Sequence, residues 1–411
     1  MTAAGTMPGH PLPNRADGER QSLLDALRGF ALLGILIVNI TAFASPFYGL
    51  GIPDPMAQSS VGHAVSFVIA FLFETKFYLL FSFLFGYSFT LQMQSAERDG
   101  KPFVPRILRR LAGLWVIGLL HAVLLYHGDI LTTYAAMGVV LLLLRKQTGK
   151  FLGRLAICLV VSTATLWAGI SILDVLDPTK ADHGAVLAKA AAALSAYRGT
   201  PASVVARHLH EFTQVWVVIG LMQAPTALAM FLVGLVAGRR KLFARVEAHR
   251  PLFRRLLLGG IAIGLPSAAF YAYTSVHLIG TPWELLGLSL SLLTAPLLTG
   301  GYAGGMMLLF QTRSGRKLAG LLAPAGRMAL SNYLLQSLAC ALIFFAYGFR
   351  LMGQVTPLAG FVSAFAIFAV QLIFSRWWMT RFAYGPLEWL LRAFTNLRLP
   401  PLRQRRGNHG S

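Results

Sequence analysis

Apolar runs separated by short polar or basic stretches follow one another along the chain at 23–45, 66–92, 111–126, 130–144, 152–173, 215–237, 255–275, 284–310, 328–347 and 357–379. A helix crosses the hydrocarbon of a bilayer with about 20 apolar residues. The pattern therefore predicts an all-α, polytopic helical membrane protein with about ten transmembrane helices. Runs three and four are short, and only His127–Gly128–Asp129 separates them. They either recruit flanking residues to cross or meet as a tight helical hairpin. Glu74 and Lys76 interrupt the second run, so its first part reads as an interfacial helix leading into a crossing at 77–92. Gly86 in FLFGYSF reads as a close helix contact.

The connections complete the division. Residues 1–22 form a polar N-terminal tail, and the run after it lacks a signal-peptidase pattern, so it reads as a retained first span. The bundle occupies 23–380, with an outer-side loop or helix insertion at 174–214 that holds AVLAKAAAALSAYRG and PASVVARHLHEFTQVW. Residues 381–398 read as an amphipathic interfacial helix on which Glu388 and Arg392 stand four apart and are placed to pair. The segment 399–411 reads as a disordered basic tail.

Composition supports this picture. Of 411 residues, 56% are hydrophobic and 12% charged, about half the charged share of a soluble protein. The net charge of +21 raises the question of a nucleic-acid partner. Its distribution answers it. With the N-terminus in the cytoplasm, 30 of the 36 Lys and Arg fall on the cytoplasmic side. This positive-inside bias places both termini inside and directs the charge to membrane lipids, with no nucleic acid required. Cys158 and Cys340 sit in apolar runs and form no disulfide or metal pattern. His208 and His210 diverge on a helix, so no metal is expected at RHLHE.

Polar residues inside apolar runs are the candidates for chemistry. Asp25 and Arg28 share a helix face at the inner end of the first span, either as an anchoring ion pair or as a receiver for an anion. Asn39 lies further out and needs a partner. Glu74 and Lys76 point in different directions near the outer interface. His121 lies towards the outer end of the third span, and His127 and Asp129 lie at the turn that follows. Asp129 is placed to cap the next helix. His121 reads either as a helix-to-helix hydrogen bond or as a general base oriented by a carboxylate, Asp129 or Glu74. Asn332 and Gln336 share a face of the ninth span and either bond across helices or line a site.

The stretches LDALRGFALLGILIVN (24–39), KFYLLFSFLFGYSF (76–89), GLLHAVLLYHGDILTTYAAMG (118–138), GRMALSNYLLQS (326–337) and YGPLEWLLRAFT (384–395) occur in order. Through them the chain resembles the YeiB-like family of bacterial membrane proteins, also called domain of unknown function 418. More remotely it is similar to the transmembrane acyltransferases, which include the acyltransferase-3 and heparan-alpha-glucosaminide N-acetyltransferase groups. The resemblance implies a multi-pass protein of the bacterial inner membrane that moves an acyl group from a cytoplasmic thioester to an outer-side or envelope glycan or lipid. On that reading His121, Asp129 and Glu74 are catalytic. Arg28, Arg327 and Asn332 hold the donor, with acyl-coenzyme A as co-substrate and no tightly bound cofactor. His127, Asn39 and Lys76 contact substrate. The alternative is a small-molecule or lipid transporter whose buried His, Asp and Glu relay protons. The sequence leaves enzyme and transporter open, and with them the donor, the acceptor and the oligomeric state.

Overall fold

The central helix of the bundle is α1 (Arg15–Ala44) in the computed structural model, which describes residues 15–98, 100, 102–176 and 183–403. Leu24, Leu27, Leu32, Leu36, Ile40 and Phe43 recur along it and are buried. Apolar side chains on most faces make this helix a core element. The next helices are α2 (Ser60–Leu72), α3 (Lys76–Arg98), α4 (Phe103–Leu124), α5 (Leu131–Leu144) and α6 (Gly149–Leu176). Then come α7 (His183–Arg198), α8 (Pro201–Val218), α9 (Ala224–Arg239), α10 (Arg250–Gly259) and α11 (Leu265–His277). The chain ends with α12 (Pro282–Phe310), α13 (Arg313–Arg327), α14 (Ala329–Phe344), α15 (Pro357–Met379) and α16 (Pro386–Asn396). No strand occurs among the described residues beyond one isolated bridge, Phe382 with Arg403.

Eight helical stretches among the described residues are long and apolar enough to cross a bilayer, or nine if α13 and α14 count as one stretch bent by 79°. The expected number was about ten. The difference lies in α5, whose 14 residues extend only about 21 Å against a hydrocarbon thickness of about 30 Å. Run three becomes α4 and run four becomes α5, a hairpin turning at 125–130. Run two breaks at Phe73–Thr75, where Thr75 has φ +66°, a left-handed conformation that a β-branched residue rarely adopts. Two further joints, between α8 and α9 and between α10 and α11, are wide five-residue turns followed directly by Pro225 and Pro266, which lack the N–H a regular helix needs.

Close packing follows small residues. A Cβ on Gly86 would run into the backbone carbonyl of Phe231, and one on Gly234 into that of Phe83. The backbones of α3 and α9 touch there, as the expectation for Gly86 required. Elsewhere the bundle turns apolar side chains outward: Ile157, Leu173, Val370 and Ile373 are exposed on α6 and α15, which suits lipid as solvent.

The ends differ from expectation. Helix α1 already begins at Arg15, inside the expected tail 1–22, and residues 1–14 lie outside the described part. The insertion 174–214 holds the end of α6, α7 and most of α8, with 177–182 outside the described residues. The first residues of the expected disordered tail are packed. The Ala383 N–H donates to the Leu402 carbonyl at 2.8 Å, and the Trp389 indole N–H donates to that of Pro400 at 2.8 Å. Residues 404–411 of that tail lie outside the described part.

Candidate functional site

The HGD turn folds Asp129 back over the last turns of α4. One carboxylate oxygen, Oδ2, accepts the Thr132 N–H at 2.7 Å and so caps α5. The other, Oδ1, lies 2.8 Å from His121 Nδ1. Gly118, one turn before His121, makes room for this: a Cβ there would meet Asp129 Oδ2 and the Thr132 nitrogen, both at 2.8 Å. The far nitrogen, His121 Nε2, lies 2.8 Å from Ser337 Oγ on α14. A carboxylate on Nδ1 fixes the tautomer, with Nδ1–H donating to Asp129 and Nε2 accepting the Ser337 hydroxyl proton. All three side chains are buried, and the Tyr333 ring stands 5.0 Å from the imidazole. Asp129 thus both caps α5 and hydrogen-bonds to His121, while the residue at the other ring nitrogen, Ser337, was missed. The Tyr333 carbonyl one turn back, at 3.3 Å, is the longer, competing acceptor for the one Ser337 hydroxyl proton. A mid-helix serine makes that bond so often that it attracts no notice in a sequence.

A second polar group covers the first on the side of α7 and α8. His127 Nδ1 lies 2.9 Å from Glu211 Oε2, and the Arg207 Nε–H donates to Glu211 Oε1 at 2.6 Å. The Tyr197 hydroxyl donates to the same carboxylate. Burial alone raises the Glu211 carboxyl, but the hydrogen bond and charge of His127, the Tyr197 hydroxyl and the Arg207 guanidinium pull it down to about 2. His208 is fully buried, its Nδ1–H donating to the Val123 carbonyl of α4 at 3.1 Å and its Nε2 without a partner. Burial first, and the charge of His127 second, push His208 down to about 4. The Tyr126 ring, 6.4 Å from His121 and 5.2 Å from His127, connects the two groups. A groove of about 660 Å³ beside them is lined by apolar side chains including Leu124, Leu125, Leu209 and Leu338. His121, Asp129 and Ser337 line neither this groove nor the apolar one along α6.

The other candidates lie apart. Glu74 does not approach His121: it accepts the Tyr271 hydroxyl at 2.8 Å and faces that of Tyr48 at 3.4 Å. The break in α2–α3 carries it to α11 instead. Lys76 is buried, donating to the Ala70 carbonyl at 2.8 Å and standing 5.9 Å from the Tyr271 ring centre. Asn39 is half-buried, and its side-chain amide hydrogen-bonds to no described residue. Arg28 binds Asp25 and donates to Ser88 Oγ at 2.6 Å. Arg327 is exposed and donates to the Ala383 carbonyl at 3.4 Å. Asn332 is enclosed. Its amide N–H groups go to the Ala325 carbonyl and Ser375 Oγ, both at 2.9 Å, which makes it a lock between α13, α14 and α15. Gln336 likewise bonds across helices, to Gln371 at 2.9 Å. The expected Glu388–Arg392 pair does not form. Glu388 instead accepts the backbone N–H groups of Leu330 and Ser331 and the Ser331 hydroxyl at the start of α14, and Arg392 lies 4.4 Å above the Tyr384 ring.

The apolar helices around a buried Ser–His–Asp chain define a multi-pass helical membrane protein with a polar centre. Within that class the chain belongs to the YeiB-like family. The family model described as "Protein of unknown function (DUF418)" matches residues 237–398. "Uncharacterized protein YxaH" of Bacillus subtilis (strain 168) is 33% identical over 404 residues, which cover 93% of this chain and 96% of the relative. "Uncharacterized protein YeiB" of Escherichia coli (strain K12) is 29% identical over 403 residues, 92% of this chain and 96% of that one. No solved structure matches the chain significantly.

Proposed function

We propose that the protein is an acyltransferase of the bacterial cell membrane with both termini in the cytoplasm. It moves an acyl group from a cytoplasmic thioester to a hydroxyl or amine of an envelope glycan or lipid. The observation that carries this reading is the Ser337–His121–Asp129 hydrogen-bonded chain, an arrangement suited to activating a hydroxyl. His121 Nε2 takes the Ser337 proton as Oγ attacks the thioester carbonyl. The thiol leaves with that proton, and the acyl group remains as a serine ester. The acceptor hydroxyl or amine then attacks the ester, His121 takes its proton, and Ser337 Oγ recovers it. Asp129 holds the imidazole in one tautomer and stabilises the imidazolium that forms in each half-reaction.

An acyl-serine shortens the crossing that a direct transfer demands. Ser337 lies eight residues into α14, about 12 Å from its start. A donor arriving from the side of Arg28 and Arg327 reaches Ser337 along that length of α14. The buried chain opens when α7 and α8 lift; the bonds of His127 to Glu211 and of His208 to the Val123 carbonyl hold α8 down, and the Ala346 N–H to the Tyr197 carbonyl holds α7. The test uses purified protein with radiolabelled acetyl- or palmitoyl-coenzyme A. Hydroxylamine-sensitive label should map to Ser337 and vanish in Ser337→Ala and His121→Ala. Unlabelled protein that also transfers no label to an envelope fraction would overturn the proposal.

The transport reading draws on one observation, the buried Lys76 close to Glu74. Gradient-coupled flux into vesicles that is lost in Lys76→Met, with no acyl label on the protein, would favour it.

A further inference from the structure

Where α4 packs against α16, positive charge outruns its partners. Arg110 of α4 has Arg392, Arg28, Glu388 and Arg106 as its charged neighbours. Among the described residues two carboxylates stand close to this group, and both are committed. Asp25 binds Arg28, and Glu388 accepts three donors at the start of α14. Arg110 Nε is buried with no partner, and no described residue hydrogen-bonds to this guanidinium. Arg392 stacks on the Tyr384 ring, which occupies its face and leaves its N–H edge free. Arg109, one residue before Arg110, shows the contrast: its Nε–H donates to the Thr395 carbonyl at 2.9 Å and fastens α4 to α16.

Guanidinium groups gathered at a half-buried place repel one another, and an N–H hidden from water without an acceptor is costly. Such an arrangement persists when an anion completes it. A phosphate matches it best, because its oxygens accept the forked N–H groups of several arginines at once. We propose that Arg110, Arg392 and Arg28 form a binding site for a phosphate-bearing anion at this end of the bundle. The ligand is either the phosphate of an anionic lipid headgroup or that of a soluble phosphorylated molecule. The site stands whether or not the protein transfers acyl groups, and it is tested by binding alone.

The full chain is reconstituted in nanodiscs of phosphatidylcholine and titrated calorimetrically with pyrophosphate at low salt. In parallel, detergent-purified protein is examined by native mass spectrometry for retained phosphatidylglycerol. Saturable pyrophosphate binding identifies a soluble ligand; retained phosphatidylglycerol without it identifies a lipid. In either case Arg110→Gln and Arg392→Gln should weaken binding at least tenfold. Arg316→Gln, an exposed arginine of α13, should leave it unchanged. Arg392 is exposed, so its variant reports on binding even if Arg110→Gln folds poorly. Absence of both ligands, or equal weakening by all three substitutions, would overturn the site. Binding that persists in Ser337→Ala separates this outcome from that of the acyl-transfer proposal.

Discussion

Asp129 and His121 are eight residues apart and meet across one turn, so their pairing was readable once the HGD turn was placed. Ser337 is 216 residues from His121, and only the packing of α14 against α4 brings it to Nε2. Two substitutions probe this centre. Asp129→Asn keeps the shape but presents an amide donor to Nδ1 and favours the wrong tautomer. Acyl transfer should fall by about 10⁴-fold, measured as label released to the acceptor per unit time. Gly118→Ala pushes a methyl group into the Thr132 backbone and into Asp129 Oδ2, a chain end that its bonds to His121 and Thr132 hold in place. The turn has to shift, at a cost of about 1–3 kcal/mol, seen as a lower melting temperature in detergent; an unchanged melting temperature and rate would contradict the contact.

Among the helices, α8 is tied to the bundle by titratable groups, and the direction of its pH dependence follows. His208 is held down to about 4 when docked and regains its ordinary value of 6.5 when α8 detaches. The detached state binds the proton first. Docking is therefore fully stable above pH 6.5 and weakens as pH falls from there towards 4. Glu211, held down to about 2 against an ordinary 4.5, adds a further loss between pH 4.5 and 2. From pH 7 to 5 the His208 contribution amounts to about 2 kcal/mol. Hydrogen-exchange protection factors in α7 and α8, which correct for the intrinsic pH dependence of exchange, should fall from pH 7 to 5 in the native protein and stay flat in His208→Phe. Glu388 offers a second test. Its three bonds hold the start of α14, so Glu388→Ala should destabilise the protein by about 1–3 kcal/mol, measured by thermal unfolding. Arg392→Ala should have a much smaller effect, whereas a salt bridge between the two would make the losses equal. The i,i+4 spacing suggested that salt bridge. The start of α14 competes more strongly for the carboxylate, since two backbone N–H groups there lack partners within their own helix.

For the molecule in its membrane, the distribution of Lys and Arg predicts orientation. In a background with Cys158 and Cys340 replaced, a cysteine at Ser203 on α8 should react with a membrane-impermeant maleimide in intact cells. One at Arg316 on α13 should react only after the membrane is opened. The reverse pattern would place the Ser–His–Asp chain nearer the cytoplasm and remove the reason for an acyl-serine relay. Hydropathy, the charge bias and the polar turn at 127–129 are properties of neighbouring residues, so the chain alone specified an all-helical membrane protein and the order of its helices, and narrowed the carboxylate at His121 to Asp129 or Glu74. Helix lengths followed less closely, because a short helix such as α5 is tolerated where other helices shield its ends. The serine at His121, the tyrosines at Glu74, the backbone N–H groups at Glu388 and the unbalanced arginines around Arg110 arise from contacts between distant segments. Side-chain periodicity tells which face of a helix is apolar, but not which helix it meets, so these partners emerged only when the bundle was assembled.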